Sequence, residues 1–573
     1  MGKAEHKVWE LVDMVEQGKL RLPEMQRRYV WRSTRVRDLL DSLYRGYPSG
    51  AILLWETDEM VATRAFDVEQ GINPYSTKLL LLDGQQRLTS LAAVIKGLPV
   101  QTRGKRPIEI LFNLEHPDEL AFVTEVDEDG DEGIDSNGDE DGLNSSDDAT
   151  DSSDDELQRR FDSMTFVVST KKLAQLPHWV KVTDVFKTDS DTAFLKRAGV
   201  TALDDPKCEK YTKRLAALRA IKNYTYRVDI LEKNLSYNEV TEIFVRVNSL
   251  GAKLRSSDLA LAQITATWRD SLKTFLHFQE ECAKKKFPFD LSLHLKNLMA
   301  FATGQSRFHI VKNIPLELLQ EKWRECCVGM EFALNFLRSN VGIDSPALLA
   351  SPFLVVTLSF FGHSRNYRLS TEEAEMLRHW VLIANAKGRY SRGSSETLLD
   401  QDLALIRGGE GIPALLDKLR AQVGRLDIVA DELEGRNQRS ALFKTMFLAF
   451  REAGACDWHS KLRITLDHSG QQHYLQFHHI FPKAILKGTY TGKEIDDIAN
   501  LCFIAGKTNR TISDKEPAQY FSTLVPEDQE KAFITQCIPT EEKYLSIASY
   551  KDFLQERRRQ IAQRLNEFVI KRA

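Results

Sequence analysis

Residues 125–156 are the segment that most constrains how this chain can fold. They contain 16 Asp or Glu, no Lys or Arg and almost no apolar side chains. A segment of this composition repels itself and cannot bury enough apolar surface to fold alone, so we expect a disordered loop. Strand-like patterns flank it at residues 108–112 and 166–169. The acidic segment is therefore predicted to be a loop insertion within one domain.

The length and composition predict several domains and no membrane segment. At 573 residues the chain exceeds a single domain of roughly 100–200 residues. No apolar run approaches the roughly 20 residues of a membrane span, and the N-terminus lacks an apolar signal segment. The seven cysteines are scattered and show no CxxC spacing. We therefore expect a cytoplasmic protein with reduced thiols and no membrane partner.

The apolar patterns predict a helix-rich α+β chain. Residues 35–44 and 87–95 have helical spacing, whereas 51–55 and 78–82 have the pattern of strands. From about 257 to 450 helical patterns dominate, as at 259–278 and 374–386, and the apolar run 352–362 has the length of a buried helix. We predict three domains: residues 1–265, a helical middle at 266–429, and residues 430–573 with a C-terminal helix.

The first candidate site is the sequence Asp83-Gly84-Gln85-Gln86-Arg87, which joins a predicted strand to a predicted helix. Amides at a helix N-terminus attract phosphate, and Gly84 permits a close backbone approach. Arg87 offers a fork for phosphate, and Asp83 offers a carboxylate for a metal ion that bridges phosphates. The alternative is an ordinary Asp-Gly turn followed by an arginine that is exposed to water.

The second candidate site is HHIFP, residues 478–482, followed by Asn500 and Asn509. Phosphodiester hydrolysis needs a base for water and a metal ion that stabilises developing charge. His479 is the candidate base, and His478 and Asn509 are the candidate ligands of one Mg²⁺ or Mn²⁺ ion. Asn500 is expected to fix either the backbone or the base. Taken alone, an adjacent histidine pair is more often structural than catalytic.

Three segments within residues 8–265 together resemble the N-terminal domain of the GmrSD-type modification-dependent restriction endonucleases. They are LPEMQRRYVWRSTRVRDLLDSLYRGYPSGAILLWE, DGQQR and FVRVNSLGAKLRSSDLALAQI. The resemblance implies a fold like that of ParB and sulfiredoxin, in which DGQQR binds and hydrolyses a nucleoside triphosphate. It adds Gln26, Arg27 and Asn248 to the nucleotide site, together with Gly251, although a simple turn is the alternative for the last two. Arg28 stands where the family commonly has Pro.

Residues 430–545 resemble the ββα-metal, or HNH, nuclease domain that forms the C-terminal half of such proteins. His478 stands where Asp or Glu is frequent, which favours Mn²⁺ or another transition metal over the metals of an all-oxygen site. Basic side chains near the motif are candidate phosphate contacts; they are Lys483, Lys487, Lys493, Lys507 and Arg510. Arg557, Arg558 and Arg559 are further candidates, with a solvated helix face over a buried apolar stripe as the alternative.

The two sites together predict a nucleotide-regulated, metal-dependent DNA endonuclease of anti-phage defence. Without the acidic segment the chain carries 78 Lys or Arg against 66 Asp or Glu, a basic balance that suits a DNA partner. The expected partners are a nucleoside triphosphate and DNA that is modified or comes from phage, and the sequence leaves a homo-oligomer open. Two other hypotheses remain: a ParB-like regulator that holds DNA without cleaving it, and a toxin-like nuclease that acts on host nucleic acid.

Overall fold

The computed structural model divides the chain into two compact units. It describes residues 2–24, 26, 29–58, 63–64, 66, 68, 78–100, 108–117, 161–200, 202, 204–250, 255–308, 311–468, 475–524 and 529–570. The acidic segment 125–156 lies outside the described residues. The division falls after Leu272, so the residues predicted as the helical middle and as the C-terminal domain lie mostly in one unit. The three-domain division therefore stays a prediction.

The first unit is built on a mixed sheet. Its described strands are β1 Gly2–Lys7, β2 Leu20–Pro23, β3 Ile52–Thr57, β4 Thr63–Arg64 and β5 Lys78–Asp83, joined later by Thr225–Leu231. Among these, β2 pairs parallel with β5, and β3 pairs antiparallel with β5 and parallel with the late strand. A separate antiparallel sheet contains β6 Ile110–Asn113 between β7 Phe166–Val168 and β8 Trp179–Lys181. The strand Thr225–Leu231 of the larger sheet is β9. Strand β5 lies inside this sheet and ends at Asp83, directly before the helix that follows it in the chain.

Helices cover both faces of the larger sheet. They are α1 Val8–Glu16, α2 Ser33–Tyr44, α3 Gln85–Lys96, α4 Val182–Lys187, α5 Thr192–Arg197, α6 Pro206–Ala220, α7 Tyr237–Leu250 and α8 Ser256–Thr267. Because strand residues alternate between faces, Leu81 packs in the cluster with α1, α2 and α3, whereas Leu80 and Leu82 pack with α7 and α8. The two buried faces explain why β5 is apolar at four consecutive positions, and the helix-rich α+β class is confirmed.

The predicted helical stretch 259–278 is two helices. The first is α8, and the second, α9, spans Ser271–Lys284. Asp270 separates them with a φ of 61°, in the left-handed region that a helix cannot contain. The Glu24 carboxylate accepts hydrogen bonds from the backbone N–H groups of Asp270, at 3.1 Å, and of Leu272, at 2.8 Å. A distant carboxylate thus stabilises the start of α9 where sequence spacing predicted continuity.

The second unit is mainly helical, with a short sheet near its C-terminal end. Its helices after α9 are α10 Leu291–Thr303, α11 Leu316–Phe336, α12 Phe353–Ser364, α13 Thr371–Lys387, α14 Ser395–Arg407, α15 Ile412–Val423, α16 Ala441–Glu452, α17 Lys483–Leu486, α18 Gly492–Ile495, α19 Gly506–Ile512, α20 Pro517–Leu524, α21 Gln529–Ile534 and α22 Tyr550–Ile570. Strands β10 Leu475–His479 and β11 Leu501–Ala505 pair antiparallel. Residues 353–362 are buried along α12, and no helix among the described residues is long and apolar enough to cross a membrane. The described cysteines, which include all seven, form no disulfide.

His294 on α10 is a buried titratable group that should make the second unit sensitive to acid. Its ring packs edge-on against Phe278, with centroids 5.7 Å apart, and neither ring nitrogen has a hydrogen-bond partner among the described residues. Burial lowers the pKa of His294 to about 4. In an unfolded chain the pKa of histidine is about 6.5, so between these values the unfolded state binds more protons. This contribution to stability is complete above about pH 6.5 and is lost as the pH falls towards 4.

The wild type is expected to lose unfolding free energy between pH 7 and pH 4. We predict that this loss is smaller in His294→Leu by on the order of 3 kcal/mol. Urea denaturation at a series of pH values measures that loss. His277→Leu is the matched control because His277 is 72% exposed on the neighbouring helix α9. Equal acid sensitivity of wild type and His294→Leu would contradict the assignment.

Candidate functional site

The DGQQR sequence forms a tight turn between β5 and α3. Strand β5 ends at Asp83, Gly84 has a φ of 101°, and α3 begins at Gln85. A Cβ atom at Gly84 would lie 2.4 Å from the Ile52 Cδ1 atom, and its left-handed backbone would be strained for other residues. Both the backbone conformation and the close packing therefore require glycine at this position.

Two glutamines of the predicted nucleotide site are hydrogen-bonded to backbone. The Gln86 Oε1 atom accepts from Val30 N at 2.8 Å and from Trp31 N at 3.2 Å. The buried Gln26 side chain donates through Nε2 to the Leu82 carbonyl, at 2.8 Å, and also to the Leu81 carbonyl. These bonds hold the irregular segment before α2 against the end of β5, so both glutamines have a structural role.

Arg87 is also held by internal contacts. Its guanidinium donates to the carbonyls of Ser49 and Ala51, and its Nη2 atom lies 3.0 Å from the Asp83 Oδ2 atom. It also lies over the Tyr226 ring, and its side chain is only 13% exposed. The alternative of an arginine exposed to water is wrong, because the 49–51 loop surrounds it. The Asp83 side chain is 41% exposed and offers the more accessible charge.

The remaining predicted nucleotide-site residues are less completely described. The buried Gln85 begins α3 beside Gly84. Arg27 and Gly251 lie outside the described residues, and Asn248 lies in α7 with a side chain outside them as well. The structure therefore brings Gln26 together with the DGQQR turn and gives no side-chain geometry for the others.

The second candidate site is a strand pair followed directly by a helix. Strands β10 and β11 pair with His478 opposite Cys502 and His479 opposite Leu501. Helix α19 starts immediately after β11, and Asn509 lies on its second turn. The Asn509 Nδ2 atom donates to the Gln476 Oε1 atom at 2.8 Å, which places this helix position beside β10. The order is thus β, β, α, with the predicted metal ligands on the first strand and the helix.

The two adjacent histidines have different surroundings because successive strand residues face opposite sides. His478 is buried, and its Nε2 atom has no hydrogen-bond partner among the described residues. Burial lowers the pKa of His478 to about 3, and the Asn509 side chain interacts with this ring. His479 instead places its Nε2 atom 3.0 Å from the Asp496 Oδ1 atom. A neutral buried imidazole and an imidazole paired with a carboxylate therefore stand side by side.

Asp496 and Lys483 were not predicted as partners of His479. The Lys483 Nζ atom also lies 3.0 Å from the Asp496 Oδ1 atom. The hydrogen bond with His479, with help from Lys483, lowers the pKa of Asp496 to about 2. Asp496 is 17 residues beyond His479, and nothing in the local spacing marks it as a partner. Only the return of the chain between β10 and β11 brings the two together.

Asn500 is buried at the base of this return. Its Nδ2 atom donates to the carbonyls of Phe481, at 3.1 Å, and Ile495, at 3.0 Å, and its Oδ1 atom accepts from Phe481 N at 2.9 Å. Of the two roles that the sequence left open for Asn500, these bonds fit the fixing of the backbone. The amide holds the segment after His479 against the segment that carries Asp496.

Asp457 anchors the helix that carries Asn509. One oxygen of its buried carboxylate accepts from Ala505 N and from the Thr508 hydroxyl, each at 2.7 Å. The other accepts from His459 N, at 3.2 Å, and from the N–H and hydroxyl of Ser460. These bonds lower the pKa of Asp457 even though burial alone would raise it. No local pattern in the sequence marks Asp457, because its partners lie up to 51 positions away.

The prediction that Arg557, Arg558 and Arg559 lie on the surface is wrong for two of the three residues. Arg557 is buried and donates to the carbonyls of Cys537, Ala499 and Gln536. Arg558 pairs with the buried Asp497 at 2.6 Å, and only Arg559 is largely exposed. The helical period puts Arg557 on the side of Phe553, Ile561 and Leu565, all buried, so it contacts backbone rather than solvent. Of the basic residues near the motif, Lys487, Lys493, Lys507 and Arg510 are exposed.

Comparison with known proteins supports the prediction for the N-terminal part. Residues 8–265 match the N-terminal domain of GmrSD restriction endonucleases, a match that points to a restriction endonuclease-like function in defence. The chain is also 22% identical over 570 residues to the uncharacterized protein MJ0686 of Methanocaldococcus jannaschii, an alignment that covers 91% of this chain and 87% of that protein. The resemblance of the C-terminal part to HNH nucleases is not covered by the domain match and stays a prediction.

We predict that Asp457→Asn destabilises the second unit by roughly 2–4 kcal/mol, because an amide NH₂ would face backbone and hydroxyl donors that now share a carboxylate. Chemical denaturation measures the free energy, and hydrogen exchange of residues 501–512 reports the loosening of α19. Asp467→Asn is the control, since its carboxylate is 55% exposed and pairs only at the surface. Equal protection of α19 in wild type and Asp457→Asn would contradict the anchoring role.

Proposed function

We propose that this chain is a metal-dependent DNA endonuclease whose second unit carries the cleavage site and whose first unit binds a nucleoside triphosphate. One observation carries the proposal: the β10–β11–α19 arrangement places His479 at a strand end and His478 beside Asn509. Hydrolysis of a phosphodiester needs a base and a metal site close together, and this arrangement offers candidates for both. The N-terminal domain match supplies independent support, because it comes from restriction endonucleases.

The residues around His478 fit a bound divalent metal ion. The His478 Nε2 atom is buried and unpaired among the described residues, a state that is costly unless it meets a ligand. The Asn509 side chain lies beside the same ring and supplies an amide oxygen. A set of one imidazole and one amide favours Mn²⁺ over Mg²⁺, which prefers a site made of oxygen ligands. When bound, such an ion would stabilise negative charge on the phosphate and on the leaving oxygen.

His479 would act as the general base. Its ring lies at the end of β10 with 15% of the side chain exposed, and it would take a proton from a water molecule on the substrate side. Removal of a proton from that water generates the nucleophile for the phosphorus atom. Exposed basic side chains close in sequence, among them Lys487 and Arg510, would hold the DNA backbone nearby. The proposed substrate is DNA of phage or DNA that carries a modification.

The DGQQR turn would bind the nucleoside triphosphate mainly through Asp83 and the backbone of the turn. Asp83 is accessible, and a carboxylate there can hold a metal ion that bridges two phosphates. Arg87 would contribute indirectly, because it ties the 49–51 loop to the turn. This division of roles separates residues that contact nucleotide from residues that shape the site.

We predict that His479→Ala lowers the rate of plasmid cleavage by about 10²–10⁴ while the fold and the binding of nucleotide are retained. The measurement is nicking of modified and unmodified plasmids, with Mg²⁺ or Mn²⁺ and with each nucleoside triphosphate. His459→Ala is the matched control, since His459 is an exposed histidine of the same region. Cleavage by His479→Ala at the wild-type rate would exclude the proposed base, and absence of cleavage by wild type under every condition would exclude the function.

We predict that Asp83→Asn weakens binding of the nucleoside triphosphate with Mg²⁺ at least tenfold and leaves thermal stability almost unchanged. The variant removes the charge that would face the metal ion, whereas its side chain can still meet Arg87. Calorimetric titration gives the affinity. Asp58→Asn is the control because Asp58 is an exposed carboxylate of the same unit. Equal affinities of wild type and Asp83→Asn would return DGQQR to a purely structural turn.

A further inference from the structure

His479, Asp496 and Lys483 form a charged cluster at one oxygen atom. The Asp496 Oδ1 atom lies 3.0 Å from the His479 Nε2 atom and 3.0 Å from the Lys483 Nζ atom. Both neighbours are nitrogen donors, and an ionised carboxylate only accepts hydrogen bonds. The His479 ring must therefore carry a proton on Nε2 to satisfy this contact.

We propose that Asp496 is a positioning residue that holds the His479 imidazole in the tautomer with its proton on Nε2 and its basic lone pair on Nδ1. The inference rests on the proposed function of His479 as a base. A neutral imidazole exchanges between two tautomers, and only the one with an unprotonated Nδ1 can accept a proton through that atom. Asp496 selects this tautomer before substrate arrives.

The contact also supports the charged state that follows proton transfer. The proton leaves water and binds the Nδ1 atom, so the ring becomes an imidazolium with a second proton on Nε2. That second proton still faces the Asp496 carboxylate, and a charge-assisted hydrogen bond is stronger than a neutral one. Lys483 shares the same oxygen and limits the attraction, since its positive charge partly neutralises the carboxylate.

The backbone around Asp496 is held rigidly enough to aim the carboxylate. Asp496 N donates to the Gly492 carbonyl at 3.0 Å, which closes the short helix α18. The next residue, Asp497, is fully buried and accepts from Gly435 N, at 2.8 Å, and from Arg558, at 2.6 Å. The Asp496 side chain itself is 47% exposed, so its replacement does not open a core. The buried neighbours thus fix the position of Asp496, and its accessible carboxylate supplies the charge.

The test combines spectroscopy with kinetics on the full chain. In the metal-free protein, ¹⁵N-labelled histidine spectra report which ring nitrogen of His479 carries the proton, and His479→Gln assigns the signal. We expect the Nε2–H form in wild type and a mixture of both tautomers in Asp496→Asn. In cleavage assays, Asp496→Asn should lower kcat by about 10²–10⁴ with less than a threefold change in KM for DNA, and Asp496→Glu should restore part of kcat.

Control variants separate this role from general effects of charge. Lys483→Met keeps the carboxylate, so its His479 spectrum should remain that of wild type. Asp467→Asn removes an exposed carboxylate elsewhere in the unit and should change neither readout. An unaltered tautomer in Asp496→Asn overturns the inference, whatever happens to its rate. An unaltered kcat in Asp496→Asn also overturns the inference. If the wild type does not cleave DNA at all, the proposed function is overturned, and the spectra alone then decide whether Asp496 selects the tautomer of His479.

Discussion

Buried backbone N–H and C=O groups in irregular segments must be paired, and that constraint shapes both candidate sites. In each site a polar side chain from a distant part of the chain does the pairing. Gln86 accepts hydrogen bonds from two backbone N–H groups before α2. Asn500 pairs with one backbone N–H and two carbonyls between β10 and β11, and Arg557 donates to three backbone carbonyls of the same unit. Loss of such a partner would leave buried groups unpaired, at a cost of about 1–3 kcal/mol for each one. The geometry of the candidate sites therefore depends on residues that perform no chemistry.

The same constraint gives Gln86 and Arg87 of the DGQQR sequence a supporting role. Gln86 and Arg87 are directed at neighbouring loops, and Gly84 allows Ile52 to pack against the turn. Asp83 retains an accessible carboxylate at the end of the central strand. In the proposed nucleotide site, only some residues of this short sequence would therefore meet the ligand. Substitutions at Arg87 would disturb loop and ligand together, which makes Asp83 the cleaner probe of binding.

In the second unit, two anchors set the distance between strand and helix. Asp457 fixes the start of α19, and Asn500 fixes the return of the chain towards His479. Between them, His478 is held in a buried position that favours its neutral form, and His479 is directed at a carboxylate. Neutral imidazole is the form that binds metal and the form that accepts a proton. The burial of His478 therefore keeps that ring in the form that the proposed metal site needs.

The sequence by itself determined the features that depend on local pattern. The apolar run of β5, the glycine of the turn, the helical period of α22 and the order of the HHIFP and asparagine segments are all local, and the structure has each of them where the pattern indicated. Only the tertiary structure decided which polar residues meet. Glu24 divides the stretch 259–278 into two helices, Arg557 turns inward, and Asp457 and Asp496 join the second site, through partners from 17 to more than 200 positions away. Hydrogen bonds over such separations have no period in the sequence, because their partners are chosen by how the elements pack.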